Sequence, residues 1–279
     1  MYPAHRLIHV SVFFILCLVI RPAWSALDET YQLTIGASIS DYDSNVTINS
    51  RDDSIDKEID FEDVLGLDNE VRLGWIKGVW RMGNRHRLSL IYLPIKRTSE
   101  LTTQKDFNVG GNVIKAGATL GTSFSTHVFD IEYIYSFFKR PDLELGITAG
   151  LYWMNSLVEL TAAGEIILEG ENQPEFRTDY RASQRLIAPL PLLGMIAVYE
   201  INPQWRAKAF ARYFDVTIGD IDGRILSLTL GTEYYFTKHV GLGASFTSFD
   251  LSVTQNGVVF INSLQYQYDG LQAFMVFKF

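Results

Sequence analysis

The chain of 279 residues carries 32 Asp and Glu against 24 Lys and Arg, a formal net charge of −8. That acidic balance excludes a nucleic-acid partner, whose phosphates call for a basic surface. Its single cysteine, Cys17, excludes a disulfide framework, so stability must come from backbone pairing and packing.

The first residues, "MYPAHR", place Arg6 ahead of the apolar run "VSVFFILCLVI", which is followed by "RPAWSA". Basic, apolar and small-residue regions in that order form a cleavable secretory signal. The run is shorter than the roughly 20 residues a membrane helix needs, and Pro22 with Ala23 and Ser25 argues against a retained anchor. Leu16 and Ile15 stand where a lipoprotein signal would place small residues ahead of Cys17. The expectation is therefore a signal peptide over residues 1–25 and a single mature domain over 26–279, since no Pro/Ser/Gly-rich linker divides the remainder.

Beyond Ala26 the pattern is alternation. Strands are predicted at 31–42, 70–82, 86–98, 122–139, 143–158, 185–201, 205–218, 224–237, 240–253 and 264–279. In "THVFDIEYIYSF" one parity carries Phe129, Ile131, Tyr133 and Tyr135 and the other carries Asp130 and Glu132. "LELGITAGLYW" and "WRAKAFARYF" divide the same way, which defines strands with two unlike faces. Aromatic residues bracket the apolar faces, as Trp205 and Tyr213 do around three alanines. Such brackets match the interfacial girdles of transmembrane barrels. "VRLGWIKGVWRM" fits least well: no parity puts both Trp75 and Trp80 on an apolar face without exposing a charge or inserting a bulge. "LIAPLPLLGMIAVY", the longest nearly uncharged run, contains Pro189 and Pro191 and cannot be a membrane helix.

The connections alternate between tight turns, at "GN", "RPD", "NPQ" and "KH", and longer polar segments at 43–69, 99–121, 159–184 and 254–263. The first long segment has 11 acidic residues from Asp41 to Glu70 against Arg51 and Lys57. It reads as a solvated surface loop, with a hairpin extension from "NVTINS" and "SIDKEIDF". Asp41, Asp43 and Asn45 have an oxygen-ligand spacing, but the glycine and terminal glutamate of a calcium loop are missing. No metal and no cofactor are assigned.

The chain ends on "LQAFMVFKF" without a polar tail. Together with the signal and the repeated strand pattern, this terminus makes the chain resemble a small, single-chain Gram-negative outer-membrane β-barrel protein, similar in plan to the membrane domain of outer-membrane protein A. The resemblance implies an all-β fold, a closed antiparallel transmembrane β-barrel of about ten strands, with eight or twelve as alternatives. It also implies that Leu271, Ala273, Met275, Phe277 and Phe279 form the signal read by the outer-membrane assembly machinery. The implied setting is the outer membrane, in contact with its lipid and lipopolysaccharide, as a monomer.

By parity, Asp130, Glu132, Glu144, Arg206, Lys208, Arg212, Glu233 and Lys278 face inward. In a narrow barrel they would pair across the lumen as a plug, because an isolated buried charge is costly; the alternative is a lining for a narrow passage. The expected function is a structural or surface-interaction role, or a narrow passage for small solutes, without enzymatic activity. The alternative is an outer-membrane lipid-modifying enzyme or protease. Ser123, Ser125 and His127 share the lipid-side parity and resemble part of a lipid A deacylase site, although the order of serine and histidine is reversed and no carboxylate shares their face to orient the imidazole. No catalytic residue is assigned.

Overall fold

The computed structural model of the chain describes residues 29–50, 56–63, 65–109, 112–171, 173–219, 221–256 and 260–279. The expected signal peptide lies outside them. The strands are β1 (Tyr31–Ser50), β2 (Asp56–Asp60), β3 (Glu70–Arg81), β4 (His86–Thr102), β5 (Phe107–Val109), β6 (Asn112–Ile114), β7 (Thr119–Lys139), β8 (Leu143–Ile167), β9 (Glu175–Asn202), β10 (Trp205–Ile218), β11 (Ile221–Tyr235), β12 (Val240–Asn256) and β13 (Phe260–Lys278). All pairings are antiparallel. Following β1, β3, β4, β7, β8, β9, β10, β11, β12 and β13 returns to β1, so ten strands form a closed ring.

Closure leaves no edge inside the lipid, where an unpaired strand would expose backbone groups at several kcal/mol each. The last joint is made by β1 and β13: Gln32 faces Lys278, and the Phe279 carbonyl accepts from the backbone of Thr30 and Tyr31, each at 3.1 Å. The short β2 adds to β1, as the hairpin extension expected from the acidic segment requires, and β5 and β6 add to the far end of β8.

Turns of a few residues join β3 to β4, β7 to β8, β9 to β10 and β11 to β12 at one end of the ring, where the start of β1 and Phe279 also lie. All longer connections are at the other end. The ring strands have 12 to 28 residues, against the roughly 9–11 that cross a bilayer, and their excess length projects at the loop end.

The outward face is apolar in a continuous belt. Ile35 faces Met275 on one side and Ile76 on the other, Ile39 faces Leu271, Phe129 faces Trp153, Met195 faces Ile147, and Leu230 faces Phe246. All are exposed. Exposed apolar surface running around a whole molecule is incompatible with water and suits lipid. Aromatic pairs close the belt at the turn end: Tyr31 faces Trp80, and the rings of Trp205 and Tyr234 lie 5.0 Å apart.

The difficulty posed by Trp75 and Trp80 is resolved without a bulge. The β1–β3 register runs unbroken, Trp80 faces lipid, and Trp75 points into the lumen on the same parity as Lys77. There its ring lies over Gly36, the residue facing it on β1, and meets Phe274 at 5.6 Å. A Cβ at Gly36 would come within 2.4 Å of the Trp75 ring, and one at Gly243 within 2.2 Å of Phe274, so both glycines make room for a lumenal aromatic.

Two joints of the wall are short. β3 pairs with β4 only from Ile76 to Arg81, and β9 pairs with β10 only as far as Leu193. Beyond Leu193 come Pro191 and Pro189, which lack the N–H a two-sided ladder needs; there β9 pairs with β8 alone. In the opening between β3 and β4 lies the segment after β2. Phe61, Leu65 and Leu67 are buried, the Phe61 and Phe124 rings meet at 5.6 Å, and Tyr42 on β1 donates its N–H to the Asn69 carbonyl. The acidic connection is thus not wholly a solvated loop: its apolar residues fold inward and fill the wall.

Candidate functional site: the charged lumen

Alternation places all eight of the expected charged residues on the inner face. Asp130, Glu132, Glu144, Arg206 and Glu233 are buried, and Lys208, Arg212 and Lys278 are half-buried. They are organised in layers along the axis.

At the turn end, Glu144 on β8 receives Arg81 of β3 and Arg87 of β4, each at 3.1 Å, together with the Ser136 hydroxyl. Beside it, Arg206 on β10 reaches Glu29, just before β1, at 3.0 Å and Glu200 on β9 at 2.7 Å. Glu233 receives Lys208 and, at 2.6 Å, the Tyr235 hydroxyl, and stands 4.0 Å from Arg206. The Lys278 ammonium lies 3.5 Å from the centre of the Tyr235 ring, a favourable cation–π position. Glu29 lies outside the strands. Burial pushes its carboxyl pKa up, and the charges of Arg206 and Lys278 outweigh this to hold it lowered to about 2.

In the middle layer Arg212 on β10 meets Asp130 at 3.0 Å and Glu132 at 2.9 Å, both on β7, while the Thr148 hydroxyl donates to Glu132 at 3.2 Å. The guanidinium lies 4.1 Å from the centre of the Phe210 ring. At the loop end Arg97 of β4 donates to the Ser44 hydroxyl at 2.8 Å, to the Asp68 carbonyl at 2.9 Å and to Glu62. Glu144 with Arg81 and Arg87, Arg212 with Asp130 and Glu132, and Arg97 with Ser44 join strands that are not neighbours in the ring, whereas the contacts of Arg206 with Glu200 and of Lys208 with Glu233 run along the wall between adjacent strands.

The structure therefore joins Arg212 with Asp130 and Glu132, and Lys208 and Arg206 with Glu233. The sequence reading missed Arg81 and Arg87, the partners of Glu144, as well as Glu29, Glu62, Lys77, Arg97 and Glu200. Parity alone could have found Arg87 and Arg97 in "RLSLIYLPIKR". Between the layers lie a cavity of about 200 Å³, lined by residues including Trp75, Lys77, Asp130, Phe210, Arg212 and Phe274, and a smaller one of about 50 Å³ toward the turns.

The residues expected to form an assembly signal lie on the outward face of β13 and, for Phe279, just after it. Leu271, Ala273, Met275 and Phe279 are exposed and Phe277 is half-buried. Ser123, Ser125 and His127 also face outward, as parity requires, but the partner of His127 is the Tyr92 hydroxyl at 2.9 Å from Nδ1. Among the described residues no carboxylate contacts it. Asp41 and Asp43 are exposed, and Asp43 clusters with Asp60 and Glu62, their carboxylate oxygens within 4.8 Å of one another. Glu62 in that group is already engaged by Arg97 and Ser44.

A closed antiparallel ring with a lipid-suited exterior and a charged interior defines a β-barrel of the outer-membrane type. No protein-family model matches the chain, and no curated protein does. Among solved structures it is similar to the outer membrane protease OmpT of Escherichia coli, with a TM-score of 0.53 and 12% identity over 89% of this chain and 97% of that one. At that identity the likeness is one of fold alone. The toluene transporter TodX of P. putida aligns at a TM-score of 0.36 with 8% identity, covering 91% of each chain.

Proposed function

We propose that the protein is an integral outer-membrane barrel, a single domain after removal of residues 1–25, with its turns in the periplasm and its loops outside. It acts as a structural or surface-interaction element whose lumen is sealed by its own side chains. The observation carrying this reading is the contact of Arg212 with Asp130 and Glu132 across the ring, reinforced by the inward-folded Phe61, Leu65 and Leu67 at the loop end. A barrel of ten strands belongs with the narrow ones filled by side chains rather than with the wide porins. The test is conductance of the purified protein in planar bilayers. Silent bilayers are expected, and reproducible unitary currents would overturn the sealed lumen.

A second reading, a narrow passage for small solutes, is favoured by one feature. The two lumenal cavities share Gln32, Lys77, Ile196 and Lys208 in their linings, so small side-chain movements there would join them. The absence of enzymatic activity is part of the proposal. His127 pairs with a tyrosine, and neither His86 nor His239 lies near the acidic groups of the loop end. The proposed partners are outer-membrane lipid, lipopolysaccharide and the assembly machinery, and the proposed state is a monomer.

A further inference from the structure

The outward face just beyond the apolar belt is unevenly charged. On β4, β7, β8 and β9 the belt ends with Tyr92, Phe129 and Trp153, and the next row toward the loops is Pro94, His127, Asn155 and Ile187, in direct register. The row after that is Lys96, Ser125, Leu157 and Arg185. Lys96 and Arg185 are exposed, and among the described residues neither makes an ion pair. Across the barrel the row one step beyond Ile39, Leu271 and Phe246 is acidic, with Glu70, Asp41, Asp269 and Ser248 in register, and Arg72 beside Ile39 is paired with Glu70. One side of the girdle therefore carries cations without an acid in their own row, two rows past Tyr92, Phe129 and Trp153, and the other is mainly acidic, its acids one row past Ile39 and Leu271.

We propose that the Lys96–Arg185 row seats the phosphorylated headgroup of lipopolysaccharide; this rests on the loop end being the outer one. Its depth is fixed by the sequence of rows, since Arg185 stands one pleat, roughly 7 Å, past the exposed apolar Ile187. That is the level at which headgroup phosphates meet the protein. Its width also matters. Lys96 and Arg185 are separated by three inter-strand steps, roughly 14 Å of backbone, too wide for a single phosphate but suited to a headgroup carrying more than one. Ser125 between the cations adds a hydroxyl donor, and His127 extends the patch toward the lipid with its ring stacked against Tyr92. The serine and histidine that resemble fragments of a lipid-cleaving site thereby have a binding role that needs no orienting carboxylate. Glu159 lies one row farther out, and Glu100 and Arg181 one row beyond that, so the row nearest the lipid is the one without an acid.

The test is titration of delipidated barrel in detergent with purified lipopolysaccharide, read by native mass spectrometry, with phosphatidylglycerol as a single-phosphate arm. Lys96→Gln with Arg185→Gln is expected to weaken lipopolysaccharide binding by about tenfold, whereas Asp41→Asn with Asp269→Asn does not weaken it. Phosphatidylglycerol is expected to bind about tenfold more weakly than lipopolysaccharide. Unchanged binding in the lysine–arginine variant, or equal weakening in the aspartate variant, would overturn the site. Equal binding of phosphatidylglycerol would overturn its assignment to lipopolysaccharide. Bilayer conductance reads only the lumen, so failure of the sealed-lumen reading would be distinguishable from failure here.

Discussion

Arg212 and Asp130 meet at 3.0 Å although two strands of the ring, β8 and β9, separate theirs. Removing the guanidinium would leave Asp130 and Glu132 buried without their cation, the costly half of a broken pair. Arg212→Met is expected to lower stability by about 3 kcal/mol, read as a shifted urea midpoint in lipid vesicles. An unchanged midpoint would show that the pair does not hold the barrel together.

Gly36 lies beneath the Trp75 ring with no room for a side chain. Gly36→Val should therefore slow folding and reduce the heat-modifiable, folded fraction on gels. Combining it with Trp75→Ala should restore much of that fraction, because the clash disappears with the ring. Failure of the second change to rescue the first would place the defect in the backbone.

Glu29 supplies a pH dependence with a defined sign. Its folded pKa of about 2 lies below the ordinary 4.5, so its contribution to stability is fully present above about 4.5 and is lost as pH falls through 2. Denaturation midpoints measured from pH 6 down to about pH 2 should fall more steeply for the wild type than for Glu29→Gln. Parallel profiles would remove Glu29 from the latch on Arg206.

Deleting Phe279 removes its three backbone bonds to Thr30 and Tyr31 and the exposed terminal ring. Insertion into the outer membrane in cells is expected to drop before unassisted folding into vesicles does. Equal losses in the two assays would assign the residue to closure of the sheet alone.

The sequence made the ten ring strands and their turn-end limits legible, because "RPD" and "NPQ" interrupt the apolar face where the chain reverses. It hid the loop-end limits. β8 runs to Ile167 and β9 begins at Glu175, since a strand that has left the lipid needs only backbone pairing and carries no apolar stripe to mark it. The inward charges followed from parity, but the joining of Glu144 to Arg81 and Arg87 could not, because partners across a lumen depend on strand order and stagger. In the acidic connection the sheer number of carboxylates masked Phe61, Leu65 and Leu67, whose spacing was the available sign of an inward fold.

The short β3–β4 joint has a mechanical meaning. Past Ile76 the two strands part, and the breach is spanned by Glu62, held on one flank by Ser44 of β1 and on the other by Arg97 of β4. There the wall is finished by the folded segment after β2 instead of by its own ladder, with the Glu62 carboxylate as a rivet beside the bonds of Tyr42 to Asn69 and of Arg97 to Asp68. Where backbone pairing makes a barrel yield only along its whole length, this one has a place at which it would give way sideways.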